Sequence, residues 1–295
     1  MDISFATQQI IYGLTVGCLY GLLAIGYTMV YGVLRLINFA HGDLLMVSAY
    51  VAFFGIVIFS FPWPLAFAGA ALITGFIGIL IDRGAYKPIR KSPRISALIT
   101  AIGVSFLLEN LALVIIGGRP KPFPIPMLFE GSLSVGQVKL PILSIWVLAV
   151  TTVLLMIVLA IINKTRIGMA MRALSRDMET VSLMGIDVNR VISFTFALGS
   201  MLAAFGGVMW CMKYPAIEPF MGVIPGLKAF VAAVLGGIGN VTGAAIGGLI
   251  LGLAEVLIVA VQPDWSGYRD AIAFCIMIFI LLTRPTGIMG QKLPD

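Results

Sequence analysis

Between Asp2 and Arg35 the chain carries no charged residue: Ile3 to Leu34 is one uncharged, largely apolar run. About 20 apolar residues cross the hydrocarbon layer of a bilayer, so this segment spans with length to spare. A removable secretory leader is the competing reading. No basic stretch precedes the run, no small-residue cleavage site follows it, and further apolar segments come after it. The segment is expected to stay in the protein.

Composition extends the same conclusion to the whole chain. Of 295 residues, 60% are hydrophobic and 11% charged, with a mean hydropathy of +1.07. Soluble domains run near a quarter charged, and no core of this size hides so much apolar surface. The excess must face lipid. Long unbroken apolar runs, rather than short alternating ones, select helices over a barrel. Hydrophobic spans are expected near 9–34, 39–60, 64–81, 95–117, 142–162, 191–212, 226–238, 243–262 and 269–283. Two are candidates for re-entrant pieces. The segment Ile37 to Ser60 opens with Asn38, His41 and Asp43, and Pro225 to Ile238 is short and ends in glycines. The fold class is therefore an all-α polytopic membrane protein of about eight or nine spans, with one or two of them re-entrant candidates.

Basic residues orient it. Arg35, Arg83, Lys87, Arg90, Lys91, Arg94, Lys164, Arg166, Arg172, Arg176, Arg190, Arg284 and Lys292 fall on one side, which is 13 of the 19 Lys and Arg. Arg119, Lys121, Lys139, Lys213, Lys228 and Arg269 form the smaller set. The positive-inside rule makes the larger set cytoplasmic, with the N-terminus outside and the C-terminus inside. The net charge of +6 is thus a topology signal, not a nucleic-acid footprint. Two outer loops follow, 118–140 with Pro120, Pro122, Pro124 and Pro126 favouring an extended path, and 213–225 with Pro215, Glu218 and Pro219.

Little in the chain suits catalysis. No phosphate-gripping loop is present; the nearest run, Gly236 to Gly243, lacks the lysine. One histidine, no acidic pair in one aqueous site and no Cys/His cluster leave nothing for hydrolytic or metal chemistry. Cys18, Cys211 and Cys275 lie in apolar segments and read as small buried hydrophobes. No cofactor or metal is expected.

The inner loop 163–190 carries the most informative pattern. Ile167, Met171, Leu174, Met178 and Val181 recur at helical spacing, opposite Arg172, Arg176 and Glu179. Thr165 can cap the start and Gly185 can end the helix. An amphipathic helix of about five turns, or two shorter ones, is expected. It either lies in the headgroup layer or pegs into a cytoplasmic partner, and physics alone does not separate the two.

Within the apolar segments, Asn38 to Asp43 is the anomaly. Burying an amide and a carboxylate in hydrocarbon costs several kcal/mol unless they are paired or wet. Asn38 or Asp43 either caps a helix or lines a pathway, and His41 reads as a structural hydrogen bonder rather than a proton relay. The glycine-rich break Gly236 to Gly243 is either a tight turn or the counterpart of the first break in a second half. Gly13, Gly17 and Gly21, and Gly243, Gly247, Gly248 and Gly252, form stripes for close helix packing. Glu109 and Glu255 are deep enough to need partners.

The stretch Gly168 to Ile186, with Arg172, Ala173, Asp177 and Gly185, resembles the coupling segment of branched-chain amino acid ABC permeases. So do Tyr20 to Gly32 followed by Ile37 to Asp43, Lys228 to Gly239 leading into Gly243 to Gly252, and Pro285 to Gly290, covering nearly the whole chain in order. Length and the Ile37 to Asp43 run fit the LivH-like subunit better than the longer LivM-like one. The resemblance implies an ABC importer permease fold in one domain, 1–295, with a cytoplasmic coupling segment 163–190 and periplasmic loops 118–140 and 213–225. It implies a second, LivM-like permease subunit, two ATP-binding subunits, a periplasmic binding protein, and a place in a bacterial inner membrane. Gly168, Arg172, Ala173, Asp177 and Gly185 would meet the ATP-binding subunit, while Asn38, His41, Gly42, Asp43, Gly237, Gly239 and Asn240 would line the route. The implied cargo is leucine, isoleucine or valine, although similar permeases carry urea, amides or other amino acids. An ion-coupled transporter acting alone and a passive channel are the rivals, and neither gives the inner amphipathic loop a purpose.

Overall fold

The computed structural model describes residues 3–90, 92–136 and 138–290; Lys91 and Lys292 of the basic set lie outside them. Helices α1 (Ile3–Leu34), α2 (His41–Val57) and α3 (Trp63–Ile81) come first. Helix α3 runs on through a π-turn, Asp82–Tyr86, into the one-turn α4 (Lys87–Ile89). Then follow α5 (Arg94–Ile116), α6 (Ile142–Lys164), the surface helices α7 (Arg166–Leu174) and α8 (Met178–Leu183), α9 (Val188–Lys213), α10 (Val223–Gly236), α11 (Val241–Val261) and α12 (Arg269–Thr283). Helices α3, α5 and α6 start directly after Pro62, Pro93 and Pro141, where a missing N–H costs nothing and φ is already helical. Among the described residues seven helices are long and apolar enough to cross a membrane, α12 counted with the turn before it, while α2 and α10 are shorter.

Helix α1 is the pillar. Every residue from Thr15 to Val30 is buried, because α11, α9, α10, α6 and α2 pack around it. Glycines let them approach. A Cβ on Gly17 would sit 2.7 Å from the Leu249 Cα, and one on Gly248 would sit 2.6 Å from the Gly21 Cα. Gly252 likewise has no room for a side chain against Gly17, while Gly243 and Gly247 meet the backbone of α10. Both stripes are packing seams, and the second serves two partners. In lipid, where apolar contact with tails competes with helix contact, backbone proximity of this kind drives association.

The periphery is looser. Leu107, Val114 and Ile115 of α5, and Ile278 and Phe279 of α12, stay exposed, as lipid- or partner-facing helices must. Cys275, on α12, is exposed and not buried as expected, whereas Cys18 and Cys211 are buried. The proline-rich outer loop is not simply extended. It holds a short strand β1 (Lys121–Pro122), a hairpin of β2 (Ser132–Val135) and β3 (Val138–Pro141), and β1 pairs with β4 (Ala216–Ile217) of the second outer loop.

The two ends differ in charge. At one, the Arg35 guanidinium donates to Ser175 O at 3.1 Å and Arg90 to Asn189 at 2.8 Å, and Gly237 packs on Gly290. That brings the basic segments around 35, 83–90, 164–190 and 284 together. At the other, Gln8 bonds Lys139 O at 2.9 Å, and Lys213 Nζ lies 5.5 Å from the Tyr12 ring centre. Lys228, counted with the outer set, is not a surface charge. It is buried, with Nζ 2.9 Å from Glu255 and 2.7 Å from Asp270, while Tyr20 donates to Glu255 at 3.0 Å. A cation at such depth persists only when paired, and Glu255 thereby finds the partner it needed.

Replacing Gly17 by Leu should separate α1 from α11 and lower stability by about 1–3 kcal/mol, the usual cost of overpacking. Gly69→Ala, with nothing within 4 Å of the new methyl, should leave thermal stability in detergent nearly unchanged; equal melting shifts in the two variants would refute the seam.

Candidate functional site

Two short helices begin deep inside the bundle with their first turns in contact. Helix α2 starts at His41 and α10 at Val223, and neither first turn carries a side-chain cap. A Cβ on Gly42 would sit 2.7 Å from Gly222 O and 2.9 Å from the Gly226 Cα, so only glycines allow the junction. Each helix is reached by a non-helical segment, 35–40 from the basic end and 214–222 from the opposite end. Irregular backbone at membrane depth is tolerated where protein buries it or it lines a cavity, and both hold here. A cleft of about 210 Å³ opens at the junction, lined among others by Gly42, Asp43, Ser105, Glu109, Gly222 and Gly226. The Asp43 residue is 2% exposed, and its Oδ2 has no hydrogen-bond partner.

This pairing differs from the expected one. The first break does have a counterpart, but at Gly222 to Gly226 rather than Gly236 to Gly243. Of the expected route residues, Gly42 and Asp43 line the cleft. Asn38 and His41 do not: Asn38 Oδ1 accepts from Tyr86 Oη at 3.0 Å. His41 is fully buried, its ring edge-on to Tyr27 at 4.6 Å in the space that Gly26 leaves open. Neither Asn38 nor Asp43 caps α2, whose N-cap position is Ala40. Gly237, Gly239 and Asn240 form the tight turn between α10 and α11 at the basic end. Gly237 and Gly239 have φ of 108° and 95°, and Asn240 accepts from Gly243 N at 3.0 Å and donates to Met289 O at 2.9 Å.

The inner loop forms two short helices rather than one long one. Thr165 caps α7 by accepting from Gly168 N at 3.1 Å. Asp177 caps α8, accepting from Glu179 N at 2.9 Å and Thr180 N at 3.2 Å as well as from the Thr180 hydroxyl. Those bonds, the hydroxyl first, hold the Asp177 carboxyl below its ordinary pKa. The cap's contribution is therefore present above the ordinary aspartate range and is lost as pH falls through the lowered value. Gly185, at φ 79°, ends the segment. Gly168 has no room for a side chain against the last carbonyls of α6, and Arg172 donates to Ile162 O across the same contact. Met171, Leu174 and Val181 are buried against the chain's own helices, and Ala173 is half-buried. Most of the apolar stripe is consumed internally. The outward residues include Arg172, Arg176, Met169 and a tip of Leu183 and Met184, the last two 87% and 74% exposed.

A polar cluster missed in the sequence joins these two places. Asp82, buried in the π-turn, takes Arg90 as an ion-pair partner at 2.5 Å and accepts from Ser193 at 2.6 Å. Arg90 also bonds Asn189, in the first turn of α9, and Tyr86 in the same π-turn bonds Asn38. Single π-turns inside helices often mark functional sites. The available signal was Asp82, an acid in an otherwise basic loop; for the junction it was the Gly222-x-x-x-Gly226 spacing.

Known proteins are similar over nearly the whole chain. Residues 9–281 match the family model described as branched-chain amino acid transport system / permease component. The high-affinity branched-chain amino acid transport system permease protein BraD of Pseudomonas aeruginosa is 41% identical over 96% of this chain and 95% of its own. LivH of Escherichia coli, named for the same transport system, is 43% identical over 96% and 95%. A probable LivH of Methanocaldococcus jannaschii is 30% identical over 91% and 88%. By this match in order and extent, on a polytopic helical fold, the chain belongs to the permease family of branched-chain amino acid transport systems.

Proposed function

We propose that the chain is one membrane subunit of an ATP-driven importer, passing leucine, isoleucine or valine from a periplasmic binding protein to the cytoplasm. It works beside a second, LivM-like permease subunit and two ATP-binding subunits. Relatives at 41% and 43% identity carry this cargo in their names, and a 210 Å³ cleft suits a small metabolite rather than a drug-sized ligand. The observation that carries the reading is the segment 163–190. Its apolar side is anchored on the chain itself, yet it presents Arg172, Arg176, Leu183 and Met184 outward at the basic end. An exposed apolar tip on a rigidly capped segment is built for a protein partner, not for water.

Movement of that segment has a physical path inward. Ser175 holds Arg35, whose φ of 55° is strained for a residue with a side chain; Arg35 begins the linker to α2. Asn189 and Ser193 hold the π-turn, and Tyr86 holds Asn38 on the same linker. Both routes end at the first turn of α2, beside Asp43. Inverting a two-state population from 1:99 to 99:1 takes about 5.5 kcal/mol of differential binding, within reach of ATP-driven closure of a partner on this peg. In the inner membrane the basic end would face the cytoplasm, which puts the N-terminus in the periplasm and the C-terminus inside.

Gly185→Pro, impossible at φ 79°, and Arg172→Glu should each abolish ATP-driven leucine uptake in reconstituted vesicles while membrane insertion persists; unchanged uptake in both would refute the peg. Tyr86→Phe removes one neutral hydrogen bond, worth about 1 kcal/mol, and should cut uptake roughly fivefold without lowering ATP hydrolysis to match. With the three native cysteines replaced, a cysteine at Ser134 should react with an impermeant thiol reagent on intact cells and one at Arg176 only after permeabilisation. The reverse pattern would overturn the orientation.

A further inference from the structure

Two hollows inside the bundle share one wall residue, Tyr27. The first is the 210 Å³ junction cleft at the start of α2 and α10. The second, of about 10 Å³, lies one turn further along α1 and α10. It is bounded by Tyr31 of α1, Ile37 of the linker 35–40, Phe230 and Ala233 of α10, and Ile238 of the turn at the basic end. It has room for about one water. Aromatic rings fill the space between the two. Phe39 lines the cleft, Phe230 lines the hollow, and Tyr27 lines both. The centres of Tyr27 and Phe230 are 6.1 Å apart at 61°, and those of Phe39 and Phe230 are 6.1 Å apart at 51°, the spacing and tilt at which rings attract. The Tyr27 ring is buried and backed by the His41 ring at 4.6 Å, and its hydroxyl stands 3.5 Å from where a Cβ on Gly226 would sit.

The three rings ride on three different pieces: Tyr27 on the pillar α1, Phe230 on the short α10, and Phe39 on the linker between α1 and α2. That linker is the piece the inner segment holds, through Arg35 on Ser175, and the π-turn holds it through Tyr86 on Asn38. We propose that Tyr27, Phe39 and Phe230 are the inner gate of the transport route. They form a closed aromatic plug between the junction cleft and the basic end, and displacement of the linker opens it by withdrawing Phe39 from Phe230. This rests on the importer reading and deepens it, naming the side chains that keep cargo from the inner side until the coupling segment moves. Rings serving only as core would be close-packed all round, where voids larger than a water are rare. These have an open cleft on one side and a hollow on the other.

The test uses the permease pair with its ATP-binding subunits, free of nucleotide, in inside-out vesicles, with the three native cysteines replaced. Ser105→Cys puts a thiol in the cleft, and its reaction with an impermeant methanethiosulfonate added at the cytoplasmic face is timed. With all three rings present the reaction should be slow. Tyr27→Ala, Phe39→Ala and Phe230→Ala should each speed it about tenfold or more, whereas Tyr27→Phe, which keeps the ring, should leave it slow. Phe53→Ala removes a ring outside the trio, one that packs on Phe54 at 5.6 Å, and should also leave it slow. If Tyr27→Ala does not assemble, Phe230→Ala carries the measurement. Fast reaction with all three rings in place, an unchanged rate in the assembled alanine variants, or equal acceleration by Tyr27→Phe or Phe53→Ala would overturn the gate. Failure of the wild-type complex to take up leucine with ATP and binding protein would instead overturn the importer reading, so the two failures are distinguishable.

Discussion

Backbone-to-backbone contact between glycines is the constraint on which this protein depends. In lipid the hydrophobic effect does little to hold one helix against another, so proximity must come from surfaces small enough to touch. Gly17 and Gly21 on α1 meet Gly248 and Gly252 on α11, and Gly243 and Gly247 meet α10. The same device recurs at Gly42 against Gly222 and Gly226, where it does something different. There it brings two helix beginnings together at depth, backbone against backbone. One chemical property, the absence of a Cβ, therefore both builds the scaffold and opens its polar centre.

Buried acids among the described residues fall into three arrangements. Lys228, Glu255, Asp270 and Tyr20 satisfy one another and tie α10 to α11 and α12. Asp82, Arg90 and Ser193 satisfy one another and tie the end of α3 to α9. Asp43 stands apart with an oxygen unmatched. Where a protein closes two buried charge clusters and leaves a third open, the open one is where a visitor is expected.

The surface segment shows how a short sequence pattern acquires a mechanical use. Two caps, Thr165 and Asp177, and a left-handed glycine, Gly185, set the ends of short helices that would not persist alone. Its buried side keys it to α6 and α9, so a push on Leu183 and Met184 is a push on the bundle. The buried Asp82 and Tyr86 contacts place the linker before α2 at the receiving end.

Much of this was legible in the residues. The nine apolar segments, the central uncharged helix, the glycine seams, the caps at Thr165 and Gly185 and the family itself follow from period, composition and local chemistry, because each is a property of neighbours along the chain. The junction was half legible: Asn38 to Asp43 announced a break, while Gly236 to Gly243 stayed open between a tight turn and its counterpart; it is the turn, and Gly222 to Gly226 stands opposite the break. Lys228 was counted with the outer basic set, since sequence counts a charge without knowing what it pairs with. Those matters belonged to the tertiary structure alone. Which glycine faces which helix, and whether a buried charge is matched, depends on groups brought together from distant parts of the chain, as Gly42 and Gly222 are, and no local pattern records that meeting.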